Sequence, residues 1–258
     1  MVTTTRPSNV VPCHVQDLPE ACRSCPVRDL GLCAALDDSE LAGLQRSVWH
    51  VTFEQGQAIL TEGEPARHIF IVIRGAAVLQ KSMVDGRRQI TSLLLPGDVL
   101  GTGCDGTYGY SAEALVRTEL CRIPNRTLDQ LCARYPHFER HLRKTLGHEL
   151  CEAQSRLLWL GRKTAAERLA SFLLMLAERA EHRGAARNPV RLLMTRNDIA
   201  DCLGLTEETV SRTFTQLVNR NLIRLPRRGE VLIVSEPALR DLAEGQLRRN
   251  AGIGGSPV

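Results

Sequence analysis

Apolar positions change their period along the chain, and the changes divide it. Between residues 37 and 130 the apolar and β-branched residues come in short runs, at 51–53, 58–60, 68–73, 77–80 and 89–95. Turn formers separate them: Glu54-Gln55-Gly56, Glu62-Gly63-Glu64-Pro65, Gly75, Asp85-Gly86 and Pro96-Gly97-Asp98. Short strands at this spacing predict an antiparallel barrel or sandwich. One hairpin is expected to turn at Asp85-Gly86, because both residues tolerate positive φ. From residue 146 the period becomes helical. Leu146, Leu150, Ala153, Leu157 and Leu160 form a narrow stripe flanked by Arg, Glu, Gln and Ser. Such a stripe on a polar helix fits a parallel homodimer seam; the alternative is packing against the chain's own β domain.

Gly161-Arg162-Lys163-Thr164 interrupts that pattern, and Thr164 is placed to cap a helix reaching about Arg183. Its apolar face is Leu169, Phe172, Leu173 and Leu176, and residues 182–189 read as a linker with Gly and Pro. Residues 195–219 read TRNDIADCLGLTEETVSRTFTQLVN. Thr195 and Asp198 make a capping-box-like start, with Asp standing in for the usual Glu. Gly204 supplies a turn without a Cβ, and Thr206 caps a second helix. Ile199, Leu203, Val210, Phe214 and Leu217 supply the buried stripe of a helix-turn-helix. Glu208, Thr209, Ser211 and Arg212 occupy the exposed first turns of its second helix. Glu accepts from cytosine N4, Arg forks onto guanine O6 and N7, and a hydroxyl meets either kind of edge. The plainer alternative for Glu208 and Arg212 is an i,i+4 surface pair. Residues 224–234 predict two short strands around an Arg/Gly turn, a wing with Arg227 and Arg228 placed for phosphates.

The 258 residues suffice for two ordinary domains, and 43% hydrophobic with 24% charged residues describes a soluble globular chain. Charge placement adds more than its sum. Residues 183–258 hold twelve Arg, no Lys and eight Asp or Glu, an excess equal to the net +4 of the whole chain. A basic module beside a neutral one suggests a polyanionic partner, the alternative being a solvated basic face. No apolar run is long enough to span a bilayer, and residues 1–12 lack the apolar stretch of a secretory signal. A cytoplasmic protein without membrane contact is therefore expected. No G-x-G-x-x-G follows a strand and no catalytic constellation is visible, which speaks against a redox enzyme or any other.

Nine cysteines in such a compartment are not read as disulfides. Cys22, Cys25 and Cys33 form C-x2-C-x7-C, a spacing that lets three thiolates approach one metal centre while a fourth ligand is still needed. Spacing alone leaves structural zinc, an iron–sulfur group and plain thiols open. It also leaves Cys13, Cys104, Cys121, Cys132, Cys151 and Cys202 as candidates for the fourth position. Cys132 and Cys202 read as buried helix-face residues, and Cys13 and Cys104 as loop thiols. His137 and His141 share a helix face without a third ligand and read as solvated.

A strand-rich domain, a striped helix and a winged helix-turn-helix together resemble the cyclic-AMP receptor/fumarate-nitrate-reduction regulator superfamily over nearly the whole chain. The string MTRNDIADCLGLTEETVSR at 194–212 is very close to the fumarate-nitrate-reduction branch. The resemblance implies an α+β chain. Its parts would be an N-terminal double-stranded β-helix (the cyclic-nucleotide-binding-like barrel), a long dimerisation helix and a C-terminal winged helix-turn-helix. It implies division into a Cys-rich cluster-binding segment at 1–36, a barrel at 37–137, the dimerisation and following helices at 138–182, the reader at 183–245 and a tail at 246–258. Cys121-Arg122-Ile123-Pro124 matches the C-x-I-P of the oxygen-sensing members. The resemblance thus assigns Cys22, Cys25, Cys33 and Cys121 to a [4Fe-4S] cluster, with Cys104 in reserve. It further implies an anaerobic regulator and activator. A homodimer would bind an inverted-repeat operator of TTGAT half-sites, and barrel loops such as the one at Asp85-Gly86 would meet RNA polymerase. The alternative is a zinc-stapled or small-molecule-responsive regulator of the same superfamily. Tyr110 stands where nucleotide-binding members carry a phosphate-pairing Arg, so cyclic nucleotide is not expected.

Overall fold

The computed structural model describes residues 10–11, 22, 24–44 and 47–246, which divide into two compact units, Met1–Cys151 and Glu152–Val258. In the first unit, one antiparallel sheet runs in the spatial order β1 (Val10–Val11), β2 (Trp49–Phe53), β11 (Thr118–Pro124), β4 (His68–Arg74), β7 (Val99–Leu100). A second runs β3 (Ala58–Leu60), β10 (Ser111–Ala114), β5 (Ala77–Ser82), β6 (Arg88–Leu94). A small hairpin joins β8 (Gly103–Cys104) to β9 (Thr107–Tyr108), so Cys104 lies in a strand rather than in the expected loop. The helices are α1 (Asp38–Leu44), which follows a 3-10 turn at Leu32–Ala35, then α2 (Asn125–Arg134) and α3 (Pro136–Arg162).

Side-chain parity explains why β4 reads as an unbroken apolar run. Phe70 and Val72 join the cluster between the two sheets, with Val51, Leu94, Leu100 and Leu120. Ile69, Ile71 and Ile73 point the other way, into a second cluster with Val27, Leu32, Leu41, Ile123 and Phe138. A strand buried on both faces has no polar side to alternate with. The outer face of the five-stranded sheet is thus covered by the cysteine-bearing segment, α1, α2 and the first turns of α3.

The β5–β6 hairpin forms where expected but turns differently. Only Gly86 takes a left-handed conformation (φ 88°), and Asp85 instead accepts from the Arg87 amide at 3.1 Å. Met83 to Gly86 make the reversal, closed by Gly86 N–H donating to Met83 O at 3.0 Å.

The second unit begins in the last turns of α3 and continues with α4 (Ala165–His182). The Thr164–Glu167 capping box fixes where α4 starts: Thr164 N–H donates to Glu167 at 2.8 Å and Glu167 N–H to Thr164 Oγ1 at 3.4 Å. Leu169, Phe172 and Leu173 are fully buried on the expected face, where truncating Phe172 to Ala would cost roughly 3–5 kcal/mol. There follow β12 (Val190–Arg191), α5 (Arg196–Leu203), α6 (Glu207–Asn219), β13 (Ile223–Arg224), β14 (Glu230–Ile233) and α7 (Glu236–Ala243). The three strands form one sheet, with β14 in the middle. The final helix α7, which the apolar period does not announce, packs on α4. Arg187 and Arg240 both grip its Glu236, at 2.6 and 2.9 Å. Among the described residues no helix is long and apolar enough to cross a membrane.

A candidate DNA reader and a cysteine-lined cavity

Local chemistry sets the reader. Thr195 Oγ1 accepts from the Asp198 amide at 3.1 Å, and the Asp198 carboxylate accepts from the Thr195 amide at 2.9 Å, which closes the capping box of α5. Gly204 ends that helix at φ 61°, ψ 45°, a left-handed cap where a side chain would be strained. Thr206 then accepts from the Thr209 amide at 3.2 Å and starts α6. Ile199, Leu203, Val210, Phe214 and Leu217 are all buried between the two helices and α4.

Of the candidate base readers, Glu208, Ser211 and Arg212 are exposed. Thr209 is half-buried, and its hydroxyl lies 2.8 Å from that of Thr206. Glu208 and Arg212 form an ion pair with each other across one turn. In the wing, Arg228 is exposed and Arg227 donates to Glu230 at 2.8 Å. The sequence reading missed Arg196, whose guanidinium lies 3.3 Å over the Phe214 ring and is half-buried there. Desolvation holds its pKa below the usual value. Its place at the first position of α5, beside an aromatic on the next helix, is the signal that was available.

The stripe on α3 faces outward. Leu146 is 43% exposed, Leu150 60% and Leu157 70%, Ala153 is exposed too, and Leu160 is half-buried at the end of the row. Leu158, also exposed, widens it beyond the five expected positions.

Cys22, Cys25, Cys33 and Cys121 line one small cavity of about 30 Å³ in the first unit, together with Val27, Gly31, Leu41, His50 and Ile71. Three of the sulfurs come from a segment held by short-range turns: Cys25 N–H donates to Cys22 O at 3.4 Å and Leu36 N–H to Cys33 O at 3.0 Å. Arg28 fastens this segment to α1, donating to Asp38 at 2.6 Å and to Leu36 O at 3.4 Å. Gly31 permits the close approach to the barrel, since a Cβ there would stand 2.8 Å from Gly97 O. The fourth sulfur comes from mid-strand. Cys121 in β11 pairs with His50 of β2 on one side and Ile71 of β4 on the other. Its parity is that of Ile123, so it faces the outer cluster rather than the barrel interior. Burial pushes the Cys33 thiol up to about 12, and the neighbouring Cys22 and Cys25 push in the same direction. Burial also lowers the pKa of His50.

Cys132 packs at the edge of the same cluster and Cys202 is partly buried on α5, while Cys151 is exposed on α3. Cys13 lies outside the described residues. His137 is exposed, as expected, and sits 3.2 Å from Glu40, a contact between the first turn of α3 and α1. Among the described residues no three His, Cys, Asp or Glu are gathered tightly enough to cage a single metal ion.

Residues 50–135 match the family model of the cyclic nucleotide-binding domain, and residues 167–242 that of the Crp-like helix-turn-helix domain. The nitrogen fixation regulation protein FixK of Bradyrhizobium diazoefficiens is 35% identical over 212 residues, 82% of this chain and 90% of that protein. The transcriptional activator protein anr of Pseudomonas aeruginosa is 37% identical over 238 residues, covering 90% of this chain and 97% of its own length. Among solved structures, that of FixK2 from Bradyrhizobium japonicum matches with a TM-score of 0.72 at 33% identity, covering 76% of this chain and 96% of its own. With a barrel, a long helix and a helix-turn-helix in the order those relatives share, the chain belongs to the CRP/FNR family of DNA-binding transcription regulators and is not an enzyme.

Proposed function

We propose that this regulator responds to oxygen through a [4Fe-4S] cluster held by Cys22, Cys25, Cys33 and Cys121, and binds TTGAT-type inverted repeats as a homodimer while the cluster is intact. The observation that carries the reading is that three thiols of one short segment and a fourth from a strand distant in sequence line a single cavity. The donor set fits the group, because iron–sulfur clusters are held by cysteine thiolates. Bound there, the cluster would supply iron–thiolate bonds between the segment and β11, together with a centre that oxygen attacks.

The chain's own residues do the rest. Val27, Leu32 and Leu41 share one packed cluster with Phe138 and Leu142 at the foot of α3, and Glu40 pairs with His137 there. A seated cysteine segment therefore steadies the helix that carries the leucine stripe. On a second copy the same stripe would cover Leu150 and Leu157, and two α6 helices would then address half-sites one helical turn apart. Glu208, Thr209, Ser211 and Arg212 read bases, and Arg227 and Arg228 hold phosphates. Loss of the anchor at Cys121 loosens the segment, weakens the seam and removes the second half-site with most of the affinity.

The working parts are the cluster segment at 1–36, the barrel at 37–137, the dimer and following helices at 138–182, the reader at 183–245 and the tail at 246–258. The protein works in the cytoplasm. Met83 and Val84 at the tip of the β5–β6 hairpin, both exposed, are the candidate contact with RNA polymerase. We do not propose cyclic nucleotide as its signal: Tyr110 stands where the family resemblance puts a phosphate-pairing Arg, and its hydroxyl accepts from the Gly101 amide at 2.9 Å.

Protein purified without air should be coloured and carry iron and sulfide in the ratio of one [4Fe-4S] cluster per chain. Brief air exposure should lower both dimer mass and operator affinity. Colourless, iron-poor or zinc-loaded protein that grips the operator equally well in air would overturn the sensory reading.

A further inference from the structure

Arg168, in the first turn of α4, spends its guanidinium on four backbone carbonyls belonging to two other helices. Nη2 donates to Leu160 O at 2.8 Å and Nε to Lys163 O at 3.0 Å, both at the end of α3. Nη1 donates to Leu203 O at 2.7 Å and Gly204 O at 3.3 Å, both at the end of α5. Carbonyls at helix C-termini lack intrahelical partners and carry the negative end of the dipole. A planar fork satisfies several at once, where the single ammonium of Lys satisfies fewer. Gly204 is also where the chain reverses before Thr206 starts α6, so this grip holds the turn that leads into the reading helix. The junction is pinned a second time by Lys163 Nζ, which donates to the buried Ser171 hydroxyl at 2.7 Å and lies over the Trp159 ring.

We infer that Arg168 is the positioning residue that sets the angle between the dimer helix and the reading helix, and so the spacing at which a dimer accepts two half-sites. The inference rests on the proposal that the chain reads an inverted repeat as a homodimer through α6. It assigns Arg168 no contact with DNA.

The test uses the full-length protein, purified without air, and TTGAT inverted repeats whose central spacing is the best one or is changed by one base pair either way. A duplex with a single half-site serves alongside. Wild type should favour the best spacing by on the order of tenfold or more, since one base pair rotates a half-site out of register. Arg168→Gln should keep the dimer mass and the half-site base preference but lose most of that spacing selectivity, to within about threefold. Arg168→Lys, which keeps the charge without the fork, should not restore it, and the salt slope of binding should be unchanged in both variants.

Unaltered spacing selectivity in both variants would overturn the inference. So would a salt slope reduced by about one per half-site, which marks a lost phosphate contact. If Arg168→Gln does not fold, the Lys variant decides by the same readings. Wild type that binds the single half-site as tightly as the repeat, at every spacing, would overturn the dimer reading and this inference with it. Selectivity lost only in the variants would support both.

Discussion

Glu208 and Arg212 hold each other in the free protein, with both side chains more than two-thirds exposed. A pair so placed adds little to stability, about 0.3–0.5 kcal/mol. Either side chain therefore gives up little by turning to a base edge. Arg212→Ala is expected to leave the thermal midpoint almost unchanged and to relax discrimination at one base pair per half-site by about 1–3 kcal/mol. A binding series over single-base operator variants checks this, and equal loss at all positions would instead mark a phosphate contact.

Cys202 offers a second residue-level outcome. Burial raises its pKa from the ordinary 9.0 to about 11, against a smaller opposing effect of Arg156. The folded state thus holds the thiol proton more tightly than the unfolded chain does. That contribution to stability is full below pH 9 and is lost as pH rises through about 11. Cys202→Ala should flatten this part of the stability curve, measured as the difference between the two proteins from pH 8 to about 11; parallel curves would contradict it.

Elements whose causes are local were legible in the sequence. Thr164, Thr195 and Thr206 cap where expected, and Gly204 turns where a Cβ-free residue was called for, because each device lies within four residues of its partner. Features built from distant backbone were not. Nothing in the sequence pairs Gly31 with Gly97, or Arg168 with the carbonyls of Leu203 and Gly204, since a carbonyl carries no residue label. Cys121 falls between these cases. Chemistry alone did not choose it from six thiols, yet strand parity with Ile123 sends it to the face where the segment lies.

The α3 stripe belongs to the same scale. Its exposed leucines contribute nothing to the core of one chain, so Leu157→Glu should halve the mass seen by ultracentrifugation while leaving secondary structure intact. A dimer that survived the double change Leu150→Glu, Leu157→Glu would place the seam elsewhere.

For the whole molecule, the charge map and the reader agree. All of the net positive charge lies in residues 183–258, on the same unit as α6 and the wing. Removing Arg227 and Arg228 together should weaken binding to every sequence alike. It should also reduce the slope of log affinity against log salt by about one per lost phosphate contact. Altered base preference with an unaltered slope would assign the wing a different task.

The two sources of the cavity's sulfur are unequally built. Cys121 is laddered to a neighbour on both sides, whereas Cys25 and Cys33 hang on hydrogen bonds that reach no further than a turn. Such a clasp has one welded jaw and one that swings. Amide exchange around residue 121 should wait for unfolding of the whole barrel, while residues 25–36 should exchange through small openings that leave the sheet untouched. Whatever pries the clasp apart therefore has to overcome only the weaker jaw, and the barrel remains standing to be reloaded.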